Sequence, residues 1–425
     1  MKTQPALLVT LLSHLLAATL VTRADAQPPA PVQWQPTWIS PAQPLFADDA
    51  VLPMGMPMEF RDVTLRQVVR TALGGPQLRL VFGNEYGTTP LTLGAAGVRA
   101  SGGGQAAAVR FQGRDGVVVP PGARVISDPV DLPTRAGDRL DVDLYLPNAA
   151  KSAARLASFH WDAQEHALLS LGNTVGHRDA KPKATYTARA FVSELWVASD
   201  HPATSVVAIG DSITDGNGSS MGLDQRWPDH LARRLAPQGV AVLNAGIAGN
   251  RLLRGGWGDA ALARLDRDVL GQPGVRAVVV LLGTNDIGFP GSPFAPTEAP
   301  VTLAELTAAF RQLVEQAHAH SVRVMAGTVP PFKHALQGTP LEGHYSPAKE
   351  ATRQALNEWI RHAGMFDGVV DFDRVLRDPA DPARLDPALD AGDHLHPGDA
   401  GYRRMADAID LRALLGAAAS PEAQH

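Results

Sequence analysis

The sequence predicts two regions of different class, an all-β sandwich of the jelly-roll kind followed by an α/β domain whose parallel sheet is covered on both faces. Three observations carry this. From about Arg61 to Ala198, short β-branched and apolar runs are broken by Gly, Pro and Asp, with no long helical period. Beyond the stretch Ala198-Ser199-Asp200-His201-Pro202, apolar runs alternate with amphipathic helical patterns, as a parallel sheet requires. With 425 residues, 45% of them apolar, the chain can fill a core in each region.

The elements are read in order. Lys2, an apolar run from Ala6 to Val21 and the small residues Ala24-Asp25-Ala26 read as a secretory signal over residues 1–26. Ser13 and His14 interrupt the run, which is short for a membrane anchor. A secreted or periplasmic bacterial protein is expected, without stable membrane insertion once the signal is removed. Gln27 to Pro44, Pro-rich with Trp34 and Trp38, reads as an extended lead-in to a β domain spanning 27–200. Strand runs follow at Thr64 to Leu73, Leu78 to Phe82, Val117 to Val119, Ala190 to Val192 and Leu195 to Val197. The clearest is Arg139 to Leu146, where Leu140, Val142, Leu144 and Leu146 share one face and charged residues take the other. Tyr145, Trp161 and Trp196 offer flat faces for a sugar, or simply fill core and interface.

Residues 201–425 are expected to form the second domain. Strands are predicted at 206–209, 240–243, 277–282, 322–328 and 369–372, with helices near 227–236, 259–270, 303–319 and 347–363 and a final helix to about Leu411. Thr302 and Glu305 form a capping box, and Ser346 caps a helix whose first position is Pro347 and which Gly364 ends. The net charge of −5 and the absence of any Lys/Arg block argue against a nucleic-acid partner. The absence of cysteine excludes thiolate metal sites and disulfides.

Ligands in such sheets bind beyond the carboxyl ends of the strands, and chemistry-bearing residues recur there. Val206 to Ile209 ends in Gly210-Asp211-Ser212, which lifts a hydroxyl to the sheet edge with free N–H groups behind it. The next strand runs into Gly246-Ile247-Ala248-Gly249-Asn250, whose glycines let a backbone N–H approach a ligand. The third ends in Gly283-Thr284-Asn285-Asp286, where Asn285 can offer an amide to an oxyanion and Asp286 can brace the loop. Near the C-terminus, Asp393 stands three residues before His396, in reach of its ring nitrogen. His394 as the base, and Asp393, His394 and His396 as metal ligands, are the alternatives.

In content and order these four blocks resemble the GDSL or SGNH hydrolase superfamily of esterases and lipases, over roughly 203–415, with Ile213 where the name-giving tetrapeptide has leucine. The resemblance implies a flavodoxin-like three-layer α/β/α fold. It also implies Ser212 as nucleophile, His396 as base with Asp393 as its partner, and an oxyanion hole from the Ser212 and Gly249 N–H groups and the Asn285 side chain, with Gly246 the competitor for Gly249. No metal or organic cofactor is needed for such acyl transfer. The expected partner is a small-molecule or polysaccharide ester, with a secreted esterase that deacetylates carbohydrate as the leading expectation. A broad small-ester esterase or lipase-like acylhydrolase is the alternative, and a non-catalytic glycan-binding protein the competitor from another class. The Pro-rich, polar segment Phe289 to Pro300 argues against a long apolar lid.

Overall fold

The computed structural model of the chain describes residues 32–46, 52, 55–148 and 154–416, so the expected leader at 1–26 lies outside them. From Val32 onward the chain is one compact unit. Its first half pairs antiparallel. One sheet has the order Gln33–Ile39, Val192–Ser199, Leu78–Gly83, Arg124–Ile126; the other runs Ala184–Tyr186, Ala167–Leu171, Val63–Arg70, Arg139–Leu146, Ala95–Ala100, Ala107–Val109. Leu65, Val142 and Leu144 from one sheet and Leu78, Leu80 and Leu195 from the other belong to a single core.

Alternation along Arg139–Leu146 holds, with Leu140, Val142, Leu144 and Leu146 buried. Its opposite face is not bare, because Arg66 covers Asp143 with a 2.6 Å ion pair. The lead-in is more regular than its prolines suggest. Gln33–Ile39 is an edge strand paired with Val192–Ser199, its register shifting between Pro36 and Trp38, at the kind of edge position that tolerates a residue without an N–H. Of the three aromatics considered for sugar binding, Tyr145 donates to Asp62 and the Trp196 indole to Glu194.

The change to parallel pairing falls between Ser199 and Ser205. Five parallel strands follow in the order Ala241–Gly246, Ser205–Gly210, Val275–Leu281, Arg323–Gly327, Gly368–Val370, the flavodoxin-like 2-1-3-4-5 arrangement. Val206 to Ile209 are fully buried, as a central parallel strand should be. The capping box closes in both directions, Thr302 Oγ1 receiving the Glu305 N–H and Glu305 receiving that of Thr302. The predicted helix 259–270 is a short α-helix, Ala261–Leu265, continued by a π-turn over Asp266–Leu270. The final helix stops at Asp407, and Asp410 caps a separate turn, Leu411–Leu415. Turns of helix directly after strands, Ser212–Asp215 and Thr284–Gly288, are too short to show a hydrophobic period. Among the described residues no helix is long and apolar enough to cross a membrane.

The two cores interlock. Ile39, Ala72 and Leu73 of the antiparallel region sit in the core of the parallel one, and Trp257 and Phe289 of the parallel region sit in the other.

Candidate active site

Ser212 is the first residue of the helical turn Ser212–Asp215, directly beyond the strand Ser205–Gly210. The turn is tight because Gly210 has no side chain: a Cβ there would collide with the Thr214 side chain and the Leu281 carbonyl. Asp211 caps the turn by accepting the Ile213 N–H at 3.0 Å. Burial pushes the Asp211 carboxyl up to about 7, against the opposing pull of that N–H and of His396.

Asp393 and His396 come from the loop ahead of the helix Asp399–Asp407. His396 Nε2 lies 2.8 Å from Ser212 Oγ, and its Nδ1 lies 2.5 Å from Asp393 Oδ2. The other Asp393 oxygen accepts the N–H groups of Leu395 and His396, so the carboxylate is fixed by its own loop. Burial works against the charged form of both partners. It is outweighed in each: the hydrogen bond and charge of Asp393 hold the His396 ring above its ordinary value, and His396 with the two N–H donors holds Asp393 well below the usual carboxylate range. His394 is half-exposed and turned to Asp390, 2.6 Å away, so the structure does not bring it to Ser212. Among the described residues no cluster of three His, Cys, Asp or Glu side chains is placed to hold a metal ion.

Asn285 is the second residue of the turn Thr284–Gly288, and its amide donates one N–H to the Asn250 carbonyl at 3.0 Å. Ser212, Gly249, Asn285 and His396 line one pocket. The two candidate glycines are separated by their bonding. The Gly246 N–H donates to Asn244 Oδ1 at 2.9 Å, whereas the N–H groups of Gly249 and Ser212 have no acceptor among the described residues. Gly249 has φ +77°, and a Cβ on it would stand 2.8 Å from that of Trp257, so the position takes glycine on two grounds. Asp286 braces the neighbouring turn, as one reading of the sequence had it, by accepting the N–H groups of Leu252 and Leu253.

Below these polar atoms the pocket is apolar, with a volume of about 170 Å³, and is lined by Trp161, Trp257, Phe289, Phe294, Leu336 and Leu395. The segment expected to be polar thus supplies two aromatic rings, Phe289 and Phe294, stacked at 4.6 Å. Trp161 arrives from the antiparallel region and meets Trp257 edge-on at 5.3 Å.

Two contributions had no local signal in the sequence. Arg264, fully buried, reaches Asn250 Oδ1, the Ala245 and Gly210 carbonyls and Asp268, and so ties two strand ends to the turn carrying Gly249. His160 and Asp162, beside Trp161, bond to Asp215 and Asn217 across more than fifty residues of chain.

Residues 208–404 match the model of the GDSL-like Lipase/Acylhydrolase family. Among solved structures, a G-D-S-L family protein from Desulfitobacterium hafniense DCB-2 aligns at 22% identity over 48% of this chain and 97% of its own, with a TM-score of 0.36. A GDSL-like lipase from Bacteroides thetaiotaomicron VPI-5482 aligns at 22% over 48% and 84%, TM-score 0.34. A mutant of an acetyl-xylooligosaccharide esterase from Geobacillus Stearmophilus aligns at 23% over 50% and 94%, TM-score 0.34. No curated protein matches the chain.

Proposed function

With a GDSL-like lipase/acylhydrolase domain at residues 208–404 as the premise, we propose that the chain is a serine hydrolase of carboxylic esters that works through an acyl-enzyme. The observation that carries the reading is the continuous chain Ser212 Oγ, His396, Asp393 at the mouth of a pocket that also holds Gly249 and Asn285. His396 Nε2 takes the Ser212 proton as Oγ attacks the ester carbonyl carbon. The carbonyl oxygen becomes an anion facing the Ser212 and Gly249 N–H groups and the Asn285 amide. As the C–O bond breaks, His396 returns the proton to the departing alcohol. Water then gives its proton to His396 and attacks the acyl carbon; the proton passes to Ser212 as the acid leaves. Asp393 keeps Nδ1 protonated and stabilises the imidazolium throughout.

For the substrate, the lining favours the acylhydrolase alternative over carbohydrate deacetylation. A dry cavity of about 150 Å³ lined by Leu, Ile and Phe takes up benzene. The pocket here is of similar volume and mostly apolar away from Ser212 and His396, and so suits a compact apolar acyl or alkoxy group.

The test is hydrolysis of p-nitrophenyl acetate, butyrate and octanoate beside acetate release from acetylated xylan, with Ser212→Ala as control. The reading expects Ser212→Ala to lose about 10⁴-fold or more in kcat with an unchanged thermal midpoint. It also expects butyrate to outrun acetate. A Ser212→Ala variant that keeps most of its activity refutes the mechanism. Ser212-dependent release of acetate from xylan, with no gain from acetate to butyrate, restores the carbohydrate-esterase reading.

A further inference from the structure

We propose that His160, a residue of the antiparallel region, is a positioning residue for the oxyanion-binding turn, acting through Asp215. The inference rests on the serine-hydrolase reading above. His160 Nδ1 lies 3.0 Å from the Pro41 carbonyl and Nε2 lies 3.0 Å from Asp215 Oδ1. The ring thus bridges the lead-in, just beyond the strand Gln33–Ile39, to Asp215 with both nitrogens engaged.

Asp215 is the last residue of the helical turn that begins at Ser212. Its second oxygen accepts the Ala248 N–H at 3.2 Å, one residue before Gly249. One carboxylate thus joins the turn bearing the nucleophile to the turn bearing a second oxyanion donor, and His160 fixes the plane of that carboxylate. Both side chains are buried, His160 and Asp215 each being 4% exposed, and both line a small polar cavity of about 30 Å³. A carboxylate turned out of this plane takes the acceptor away from the Ala248 N–H, so the Ala248–Gly249 peptide moves with it. The next residue but one repeats the device on the other side, Asp162 accepting the Asn217 amide at 2.6 Å beside the same pocket.

Because the contact orders donors and leaves the apolar pocket alone, its loss belongs in kcat and not in KM. The experiment uses the full chain and the variants His160→Leu, which removes both contacts, and His160→Gln, which keeps a donor toward Asp215. Active sites are counted by stoichiometric reaction with a fluorophosphonate, and kcat is expressed per titrated site, which removes any unfolded fraction. The expected result for His160→Leu is a kcat about 10- to 100-fold lower with KM within twofold. Affinity for an alkyl trifluoromethyl ketone, which needs the oxyanion donors, should fall by the same factor, and His160→Gln should recover part of both.

A kcat per site equal to wild type, or a loss carried by KM alone, overturns the positioning role while leaving the serine mechanism standing. A wild-type chain that takes no fluorophosphonate on Ser212 overturns the mechanism and the positioning role with it.

Discussion

The parallel region carries the atoms proposed to touch the ester, and the antiparallel region carries much of what surrounds and fixes them. Ser212, Gly249, Asn285 and His396 all stand at strand ends or on late loops of the parallel sheet. The antiparallel region brings Trp161 to the pocket, His160 to Asp215 and Asp162 to Asn217. The division follows from sheet geometry. Parallel strands deliver successive connections to one edge, so chemistry collects there. An antiparallel sandwich sends its loops to two ends, and a single loop is enough to close a neighbour's cleft.

The strongest way to break this comparison is at the chemical centre. Asp393→Asn leaves the loop bonds available but removes the charge that fixes the His396 tautomer, and kcat should fall by about 10⁴-fold. The pH profile gives the sign. With the His396 ring held above its ordinary value, kcat/KM of the wild type should fall as pH drops through a midpoint above 6.5, where the ring becomes charged and cannot act as base. In Asp393→Asn burial acts on the ring with less opposition, and the acid limb should move to lower pH. A limb that stays in place removes Asp393 from the role.

A smaller effect is expected from the antiparallel side. Trp161→Ala takes an indole from the pocket, and KM for p-nitrophenyl octanoate should rise about tenfold while acetate is little affected. Equal changes for both esters would mean that Trp161 shapes the turnover machinery and not the pocket. The least effect on activity belongs to Tyr86→Phe. That hydroxyl donates to Asp259 at 2.5 Å and accepts from Arg267 at 2.6 Å across the two regions. Its loss should lower unfolding free energy by about 1–3 kcal/mol, read from the denaturant midpoint at constant slope, with activity nearly intact. Two separated unfolding transitions would show that the regions are not coupled in this way.

The legible part of the site is the part whose neighbours in sequence are also its neighbours in space. Gly210-Asp211-Ser212 sits at the end of its own strand, and Asp393 reaches His396 within a single turn. The positions of the parallel strands and the capping box were likewise readable, because hydrophobic period and cap chemistry are local. The choice of Gly249 over Gly246 came only with the resemblance, and the bonding that separates them depends on the Asn244 side chain in the fold. Phe289 and Phe294 were hidden among prolines, since nothing short of the fold stacks them. His160 was out of reach altogether: a lone histidine after Phe159 gives no sign that its partner lies 55 residues on.

The interlocked cores settle what kind of object the antiparallel region is. Deleting residues 32–199 would strip Ile39, Ala72 and Leu73 from the parallel region's core and take Phe46 and Trp161 from against Trp257. The remaining half would carry a greasy scar beside Ser212. The region is therefore no portable accessory to be cut away or traded between enzymes. A substitution in the β loop that carries His160, Trp161 and Asp162 therefore reaches the pocket around Ser212 as directly as one on the parallel sheet.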